Sequence, residues 1–297
     1  MLDAYANGRT CEQAAALVGL AKSTCKLALR RAGLRARSNS VAQRKYAIQE
    51  NFFETIDTEE KAYWLGFISA DGGIYDKRLT ITLAAKDRAH LVKFATSIGP
   101  TLPIRVFTSD GYALASISSR SEKLASDLFA LGVTPKKSLT LSPWSPRRIE
   151  LQAHYWRGFI DGDGCLSEAG KARSVGLMGT LPVVNAFLSF AHRICGTNAK
   201  PYAVKTTPGM FTAHVGGSFL ATTFATAIYE GAGVYLDRKY EIFRRWNAEP
   251  PSYRTKKQRA IDIETAKCQF ATGGITKTRL AKEYGVSWDT MFAWLKR

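Results

Sequence analysis

Residues 63–73 read YWLGFISADGG, and residues 155–165 read YWRGFIDGDGC. Seven of the eleven positions are identical, and each copy ends in an aspartate followed by a glycine. The two aspartates, Asp71 and Asp163, are 92 positions apart. A glycine-containing apolar string that occurs twice at this distance predicts a chain built from two similar halves.

Small residues stand four positions apart in each string, Gly66 and Ala70 in the first copy and Gly158 and Gly162 in the second. In an α-helix, residues four apart lie on one face, so each string would form a helix with a smooth groove. Aromatic and aliphatic residues cover the other faces. The pattern predicts that the two helices pack closely against each other along the axis of a pseudo-dimer.

The aspartate that ends each helix is costly for stability. A carboxylate at a helix C-terminus faces the negative end of the helix dipole, and two adjacent carboxylates raise at least one pKa. Gly72 and Gly164, which follow the aspartates, are expected to be left-handed helix caps. A hard divalent cation, with Mg²⁺ preferred, would relieve both problems and could activate water near a phosphate. The alternative is that each Asp-Gly pair only marks a turn.

The order of elements after each string is the same. Alternating and helical patterns predict helix–strand–strand–helix–strand–strand–helix twice, joined by SPWSP at residues 142–146. The predicted units are an N-terminal helix-turn-helix at 1–36, a basic linker at 37–55, a first repeat at 56–142, a linker at 143–148, a second repeat at 149–248 and a C-terminal helix-turn-helix at 249–297.

The two terminal units are themselves similar. GRTCEQAAALVGLAKSTCKLAL begins at residue 8, and GITKTRLAKEYGVSWDTMFAWL begins at residue 274. Each reads as a helix, a turn containing glycine and a second helix, the pattern whose second helix enters the DNA major groove. An αα-hairpin that only packs is the alternative. The first helix of the N-terminal unit is expected to be short or missing.

Charge indicates the class of partner. The chain of 297 residues has 42 Lys and Arg against 25 Asp and Glu, a net charge of +17. This favours nucleic acid as the partner, ahead of a membrane surface. Five scattered cysteines argue against disulfides and zinc. Without a membrane-spanning run or a signal peptide, the expected location is the cytoplasm of a bacterial or phage-infected cell.

The strings WLGFISADG and WRGFIDGDG resemble the signature of the LAGLIDADG homing endonucleases, in the single-chain form with two motifs. The resemblance covers residues 56–248. It implies an α+β fold of two αββαββα halves whose sheets form a saddle over double-stranded DNA. It also implies a monomer from a mobile genetic element that cuts both strands at a long asymmetric site. The cleavage would depend on Mg²⁺, with Mn²⁺ as a substitute, and would leave short 3′ overhangs.

The resemblance also implies roles for single residues. Asp71 and Asp163 would be the catalytic, metal-binding acids, and the backbone carbonyls of Ala70 and Gly162 would be further metal ligands. A basic residue near each active site would stabilise the transition-state phosphate or polarise the attacking water. Lys137 and Lys239 are the candidates, with a surface phosphate contact as the alternative.

The sequence departs from the signature at two places. Ser69 stands where the signature has its first aspartate, and the second copy keeps Asp161 there. Leu65 and Arg157 stand where the signature has alanine. Since alanine suits a close helix contact, these two side chains are expected to point away from it.

Residues on the predicted strands and in the C-terminal unit would contact DNA bases or phosphates. The candidates are Lys77, Arg78, Lys86, Arg105, Lys171, Arg173, Lys200, Lys205, Ser287, Trp288 and Thr290.

Two alternative functions remain open. A non-cleaving DNA-binding regulator would keep the scaffold, but it predicts the loss of one or both acids, and both are present. An RNA maturase that assists splicing would keep the scaffold too.

Overall fold

The computed structural model describes residues 1–7, 9–36, 46–135, 137, 140–146, 148–169, 172–249, 256–284, 286 and 288–296. Segments 59–130 and 149–229 each follow the predicted order helix–strand–strand–helix–strand–strand–helix. The helices of the described residues are α1 (Leu2–Ala6), α2 (Cys11–Ala16), α3 (Lys22–Arg31), α4 (Glu59–Asp71), α5 (Arg88–Ile98), α6 (Glu122–Ala130), α7 (Ile149–Asp163), α8 (Leu181–Cys195), α9 (Ser218–Tyr229), α10 (Asp237–Ala248), α11 (Lys256–Ala271), α12 (Lys277–Glu283) and α13 (Trp288–Lys296). The strands are β1 (Gly72–Tyr75), β2 (Arg78–Ala84), β3 (Ile104–Ser109), β4 (Tyr112–Arg120), β5 (Cys165–Ala169), β6 (Ala172–Gly179), β7 (Tyr202–Ala203) and β8 (Phe211–Gly216).

Helices α4 and α7 contain the two repeated strings and pack against each other at their glycines. A methyl group at Gly66 would overlap the backbone carbonyl oxygen of Tyr155, and one at Gly158 would overlap that of Tyr63. The backbones are therefore too close for any side chain at these positions. The contact is nearly symmetric, as the predicted pseudo-dimer requires.

The glycines that follow the two helices are not left-handed caps, contrary to the prediction. Gly72 has φ −79° and Gly164 has φ −88°, and both are extended. A Cβ at Gly72 would lie 2.7 Å from the Ile68 carbonyl oxygen, and one at Gly164 would lie 2.8 Å from that of Ile160. Glycine is needed here because each strand leaves its helix so tightly that the backbone leaves no space for a methyl group.

Each half has one four-stranded antiparallel sheet. The strand orders are β1-β2-β4-β3 in the first sheet and β5-β6-β8-β7 in the second. One face of each sheet is buried, as in β2, where Leu79, Ile81 and Leu83 alternate with more exposed residues. The opposite face of each sheet, here called its open face, is available for contact with a partner.

The hydrophobic residues that the structure describes form three separate clusters. The largest joins both halves and contains Trp64, Phe67, Trp156, Phe159 and the buried residues of both sheets. A small cluster holds α1 to α3 together: Tyr5, Cys11, Ala14, Ala15, Cys25 and Leu29. A third holds α11 to α13 together: Ala266, Leu280, Ala281, Met291 and Trp294.

Three helices of the described residues are additional to the elements predicted from the sequence. Helix α10 follows the second αββαββα unit, and the described part of each terminal unit has three helices where a helix, a turn and a second helix were predicted. The additional N-terminal helix, α1, is only five residues long, in line with the expectation of a short first helix. Among the described residues, no helix is both long and apolar enough to cross a membrane.

Candidate active site and nucleic-acid interface

Asp71 and Asp163 are the last residues of α4 and α7, and the close packing of these helices brings them together. A Cβ at Gly162 would lie 2.5 Å from the Ala70 Cβ and 3.5 Å from the Asp71 Cγ. The charge of Asp163 raises the pKa of Asp71, so the two carboxylates lie close enough to interact. The close contact at the helix ends therefore creates a paired acidic site, called here the aspartate pair.

The pKa values show that the aspartate pair is held in an unfavourable environment. Burial raises the pKa of Asp71 to about 6, and the neighbouring charge of Asp163 adds to the effect. The pKa of Asp163 is also raised, again mainly by burial. Lys137 and Lys239 partly oppose both shifts. A cation that reached the pair would relieve the remaining repulsion.

Lys137 lies at the end of α4, beside the aspartate pair. Its Nζ donates a hydrogen bond to the Ala70 carbonyl oxygen at 2.7 Å. Burial lowers its pKa, while the charges of Asp163 and Asp71 oppose that shift. Among the described residues this carbonyl is the one hydrogen-bond acceptor of the ammonium group, which has three N–H donors.

Lys239 occupies the matching place at the end of α7, but it is almost fully buried, with 2% of its surface exposed. Its Nζ donates to the carbonyl oxygens of Asp161 at 2.9 Å and Gly164 at 2.7 Å, and also to that of Ile160. The Gly162 carbonyl is 3.5 Å away. Burial lowers its pKa to about 8. Lys239 therefore caps the carbonyl end of α7 with all its donors engaged.

The donor set around the aspartate pair suits a hard cation. It consists of two carboxylates and the carbonyls of Ala70 and Gly162, and oxygen is the ligand that Mg²⁺ prefers. Both carbonyls also lie within reach of a lysine ammonium. No group of three or more His, Cys, Asp or Glu side chains able to hold a metal occurs in the described part of the chain. A cation here would therefore depend on two carboxylates together with backbone oxygens.

The sequence analysis missed a buried network around Asp161, which is 1% exposed. Its carboxylate accepts hydrogen bonds from the hydroxyls of Tyr63 at 2.7 Å and Tyr229 at 2.5 Å, and from the backbone N–H of Leu236 at 2.7 Å. Leu236 is the N-cap of α10, the helix that carries Lys239. Asp161 therefore fixes the position of that helix relative to α7. The sequence carried one signal of this network: Ser69 and Asp161 occupy equivalent positions of the two repeated strings but differ in chemistry.

Arg157 does not point away from the helix contact, contrary to the prediction. Its guanidinium donates to Glu59 of α4 at 2.6 Å and lies 5.3 Å from the centre of the Tyr63 ring, also on α4. It donates as well to the carbonyl oxygens of Ile228 and Val234. The long side chain is accommodated because it runs along the edge of the contact between α4 and α7, where these groups accept hydrogen bonds from its guanidinium. Leu65 is fully buried.

The proposed DNA contacts of the first half lie on the surface. Lys77, Arg78, Lys86 and Arg105 are all exposed. Lys77 forms an ion pair with Glu122 at 2.7 Å. These residues present positive charge along the first sheet and its connecting turns.

The proposed contacts of the second half are more varied. Lys200 and Lys205 are exposed, whereas Arg173 is buried. The Arg173 guanidinium donates to Thr222 and to the carbonyl oxygens of Trp246 and Glu249. Because these internal acceptors engage it, the Arg173 guanidinium is not available for contact with DNA.

In the C-terminal unit, Trp288 is 49% exposed and its ring stacks on Phe292 with 5.1 Å between centroids. Thr290 is half-buried. Lys171 and Ser287 lie outside the described residues.

No protein-family model matches the chain, and no curated protein matches it. Several solved structures are similar at low identity. Full-length DUF199/WhiA from Thermatoga maritima is 13% identical, with a TM-score of 0.42, over 84% of this chain and 93% of that protein. A point mutant of I-SmaMI is 12% identical, with a TM-score of 0.45, over 63% of this chain and 89% of that one. The homing endonuclease I-DmoI, in complex with DNA and Ca, is 14% identical, with a TM-score of 0.42, over 62% and 96%.

Proposed function

We propose that this protein is a site-specific DNA endonuclease that cuts both strands of a duplex in a reaction that depends on a divalent cation. The observation that carries the proposal is the aspartate pair at the touching ends of α4 and α7. Burial and mutual repulsion make this pair unfavourable for folding. A purely structural role therefore does not account for the two carboxylates, whereas a catalytic role does. The chain would act as a monomer whose two halves replace the subunits of a dimer.

Asp71 and Asp163 would hold the cation, with the carbonyls of Ala70 and Gly162 as further ligands. Mg²⁺ is the expected ion, with Mn²⁺ as a substitute. When bound, such an ion supplies an activated water and charge stabilisation at the scissile phosphate. A short 3′ overhang is the expected product, as the resemblance to the homing endonucleases implies.

The two lysines would have different tasks. Lys137 donates to a single carbonyl among the described residues, so it has N–H donors left for a phosphate oxygen or for the attacking water. Lys239 is engaged by the carbonyl end of α7 and would position the helix end that carries Asp163. In this proposal Lys137 contacts the substrate, and Lys239 contributes indirectly by holding Asp163 in position.

Duplex DNA is the proposed partner because of the net charge of +17 and the exposed arginines of the first sheet. The terminal three-helix units would extend the contact with DNA. In each unit the last two helices, α2–α3 and α12–α13, would act as a helix-turn-helix whose second helix enters the major groove.

The test is a cleavage selection on a randomised or host-genomic duplex DNA library in the presence of Mg²⁺, read by sequencing the new ends. The parent chain is expected to cut both strands at one sequence and leave 3′ overhangs. Asp71→Asn and Asp163→Asn should each abolish cutting. Asp57→Asn is the matched control, because Asp57 precedes the opposite end of α4 and forms an ion pair with Lys61.

Sequence-specific binding without cutting, unchanged in both variants, would instead make the protein a DNA-binding regulator. Loss of cutting in the Asp57→Asn control to the same extent would show that the site had been assigned wrongly. An intron-splicing assay with the same variants distinguishes a maturase, whose activity should not require the two carboxylates.

A further inference from the structure

The open face of the first sheet carries its positive charge in rows set by strand pairing. Arg78 pairs with Tyr75 on one side and with Arg120 on the other. Four residues further along β2, Thr82 pairs with Ser116, which in turn pairs with Arg105. Directly paired residues point to the same face of a sheet. Arginines therefore lie at two levels of this face.

Arg78 and Arg105 differ from the other cations nearby. Arg120 forms an ion pair with Asp76 at 2.8 Å, and Lys77 forms one with Glu122. Within the described residues, no carboxylate pairs with Arg78 or Arg105. Both line a concavity of about 730 Å³, together with the hydroxyl-bearing residues Thr80, Ser116 and Ser118. Two unpaired guanidinium groups thus face an open, polar surface.

The open face of the second sheet has a different chemistry. By register it carries the rows Ser167–Ser174–Gly216, Cys165–Gly176–His214 and Met178–Thr212–Tyr202. None of these residues is Lys or Arg. The one arginine of the described second-sheet strands, Arg173, has the opposite orientation and is buried.

His214 occupies the centre of this second face. A methyl group at Gly176 would overlap the His214 imidazole, so the glycine gives the ring space to lie across the sheet. The His214 Nε2 is 3.2 Å from the Thr212 hydroxyl. The centre of the second face is therefore a polar ring held by its neighbours, without a fixed positive charge.

We propose that the two sheets read unlike half-sites: Arg78 and Arg105 require guanines in the half-site under the first sheet, and the second sheet reads its half-site through His214 and hydroxyl groups. This inference rests on the proposed function. Arginine recognises guanine through two parallel hydrogen bonds to O6 and N7 in the major groove, which no other base accepts in the same way. Serine and threonine hydroxyls discriminate less, because they donate and accept.

The spacing of the two arginines assigns them to different base pairs. Their rows are four residues apart along β2, about 13 Å at roughly 3.3 Å per residue. Base pairs repeat at about 3.4 Å, so one base pair cannot serve both side chains. The half-site under the first sheet should therefore contain two separate positions at which guanine is required.

The experiment is a binding selection on a randomised duplex DNA library, using the full chain in Ca²⁺ so that binding can be read without cutting. The parent is compared with Arg78→Ala, Arg105→Ala and His214→Ala. Each arginine variant should lose the guanine preference at one position of the same half-site, with roughly a 5- to 150-fold loss of affinity for the selected site. His214→Ala should change the preference only in the other half-site.

Two controls separate base reading from general attraction to phosphate. Arg88→Ala removes an exposed charge from the start of α5, outside both sheets, and should leave every base preference unchanged. Arg105→Lys keeps the charge but lacks the planar fork, so it should recover only part of the affinity and a weaker guanine preference than the parent.

The outcomes are distinct. If the parent selects a site but both arginine variants weaken binding uniformly and keep the same base preferences, the arginines hold phosphates and the inference is wrong. The same holds if Arg105→Lys restores the affinity in full although Arg105→Ala changes no base preference, because a phosphate contact needs only the charge. If the parent selects no preferred duplex at all, both this inference and the proposed function fail.

Discussion

At the scale of single residues, Asp71 and Asp163 place two carboxylates at the carbonyl ends of α4 and α7, where both helix dipoles are negative. Lys137 and Lys239 compensate for this, but burial lowers the pKa of each lysine as well. All four groups are thus held in charge states that their surroundings disfavour. Such an arrangement is typical of sites selected for chemistry rather than for stability.

Asp71→Asn is expected to stabilise the fold at pH 7.5 while abolishing cleavage. The folded-state pKa of Asp71 is raised, so its contribution to stability is present at low pH and is lost as the pH rises through about 6. The gain should be on the order of 1–2 kcal/mol at pH 7.5, at about 1.4 kcal/mol per pKa unit with allowance for partial exposure. Urea denaturation across pH 4–8 measures it, and the difference between variant and parent should shrink towards pH 4.

Mg²⁺ provides the control for that prediction. A cation that binds the aspartate pair stabilises the folded state by mass action. The Tm of the parent should therefore rise with Mg²⁺ concentration, and the Tm of Asp71→Asn should not. An equal rise in both proteins would mean that the ion binds elsewhere.

Replacing each lysine by methionine should affect different properties: Lys137→Met mainly the cleavage rate, and Lys239→Met mainly the stability of the fold. Lys137→Met should lower the cleavage rate by about 10²–10³-fold with little change in the urea midpoint, because it removes a donor to the reacting phosphate. Lys239→Met should lower the free energy of unfolding by about 2–4 kcal/mol, since several buried carbonyl oxygens lose their donor. Single-turnover cleavage and urea denaturation are the measurements, and equal behaviour of the two variants would contradict the assigned roles.

At the scale of secondary-structure elements, the contact between α4 and α7 fixes the position of the aspartate pair. The sequence was sufficient to predict this contact, because small residues four positions apart lie on one face of a helix and allow a second helix to pack closely there. It was also sufficient to predict the strands, through the alternation seen in Leu79, Ile81 and Leu83. These features depend on local spacing, which a single sequence displays directly.

Features that depend on distant residues were not predictable in this way. Arg173 was expected on the DNA-facing surface, but its acceptors are supplied by α9 and by the end of α10, about 50 to 76 positions away. Arg157 can be buried because Glu59, 98 positions earlier, accepts a hydrogen bond from its guanidinium. No local pattern carries this information.

Gly158→Ala tests the helix contact. The added methyl group would overlap the Tyr63 carbonyl oxygen, so α4 and α7 must move apart. The expected loss is about 3 kcal/mol or more in the free energy of unfolding, because a backbone contact cannot relax as a side chain can. Gly216→Ala is the matched control, since its methyl group would meet nothing within 4 Å, and it should change stability by less than about 0.5 kcal/mol. Equal Tm values for the two variants would contradict the close packing.

At the scale of the whole molecule, the described residues form three separate hydrophobic clusters, one central and two terminal. The large cluster joins both αββαββα halves around the aspartate pair. The two terminal clusters are small and share no buried residue with it. This division suits a protein in which the central domain performs cleavage and the ends add contacts with DNA.

Removing the C-terminal unit should therefore weaken DNA binding without unfolding the rest. Residues 256–297 contain nine Lys or Arg against four Asp or Glu. A chain shortened to residues 1–255 is expected to keep the Tm of the main transition within about 2 °C, because the large cluster is intact. Its affinity for the selected duplex should fall by about 10- to 100-fold at physiological salt, and the dependence of log affinity on log salt should become shallower by about 2–4. Binding titrations at several salt concentrations measure both quantities. An unchanged slope would show that the unit does not touch DNA, and a large fall in Tm would show that it supports the central fold instead.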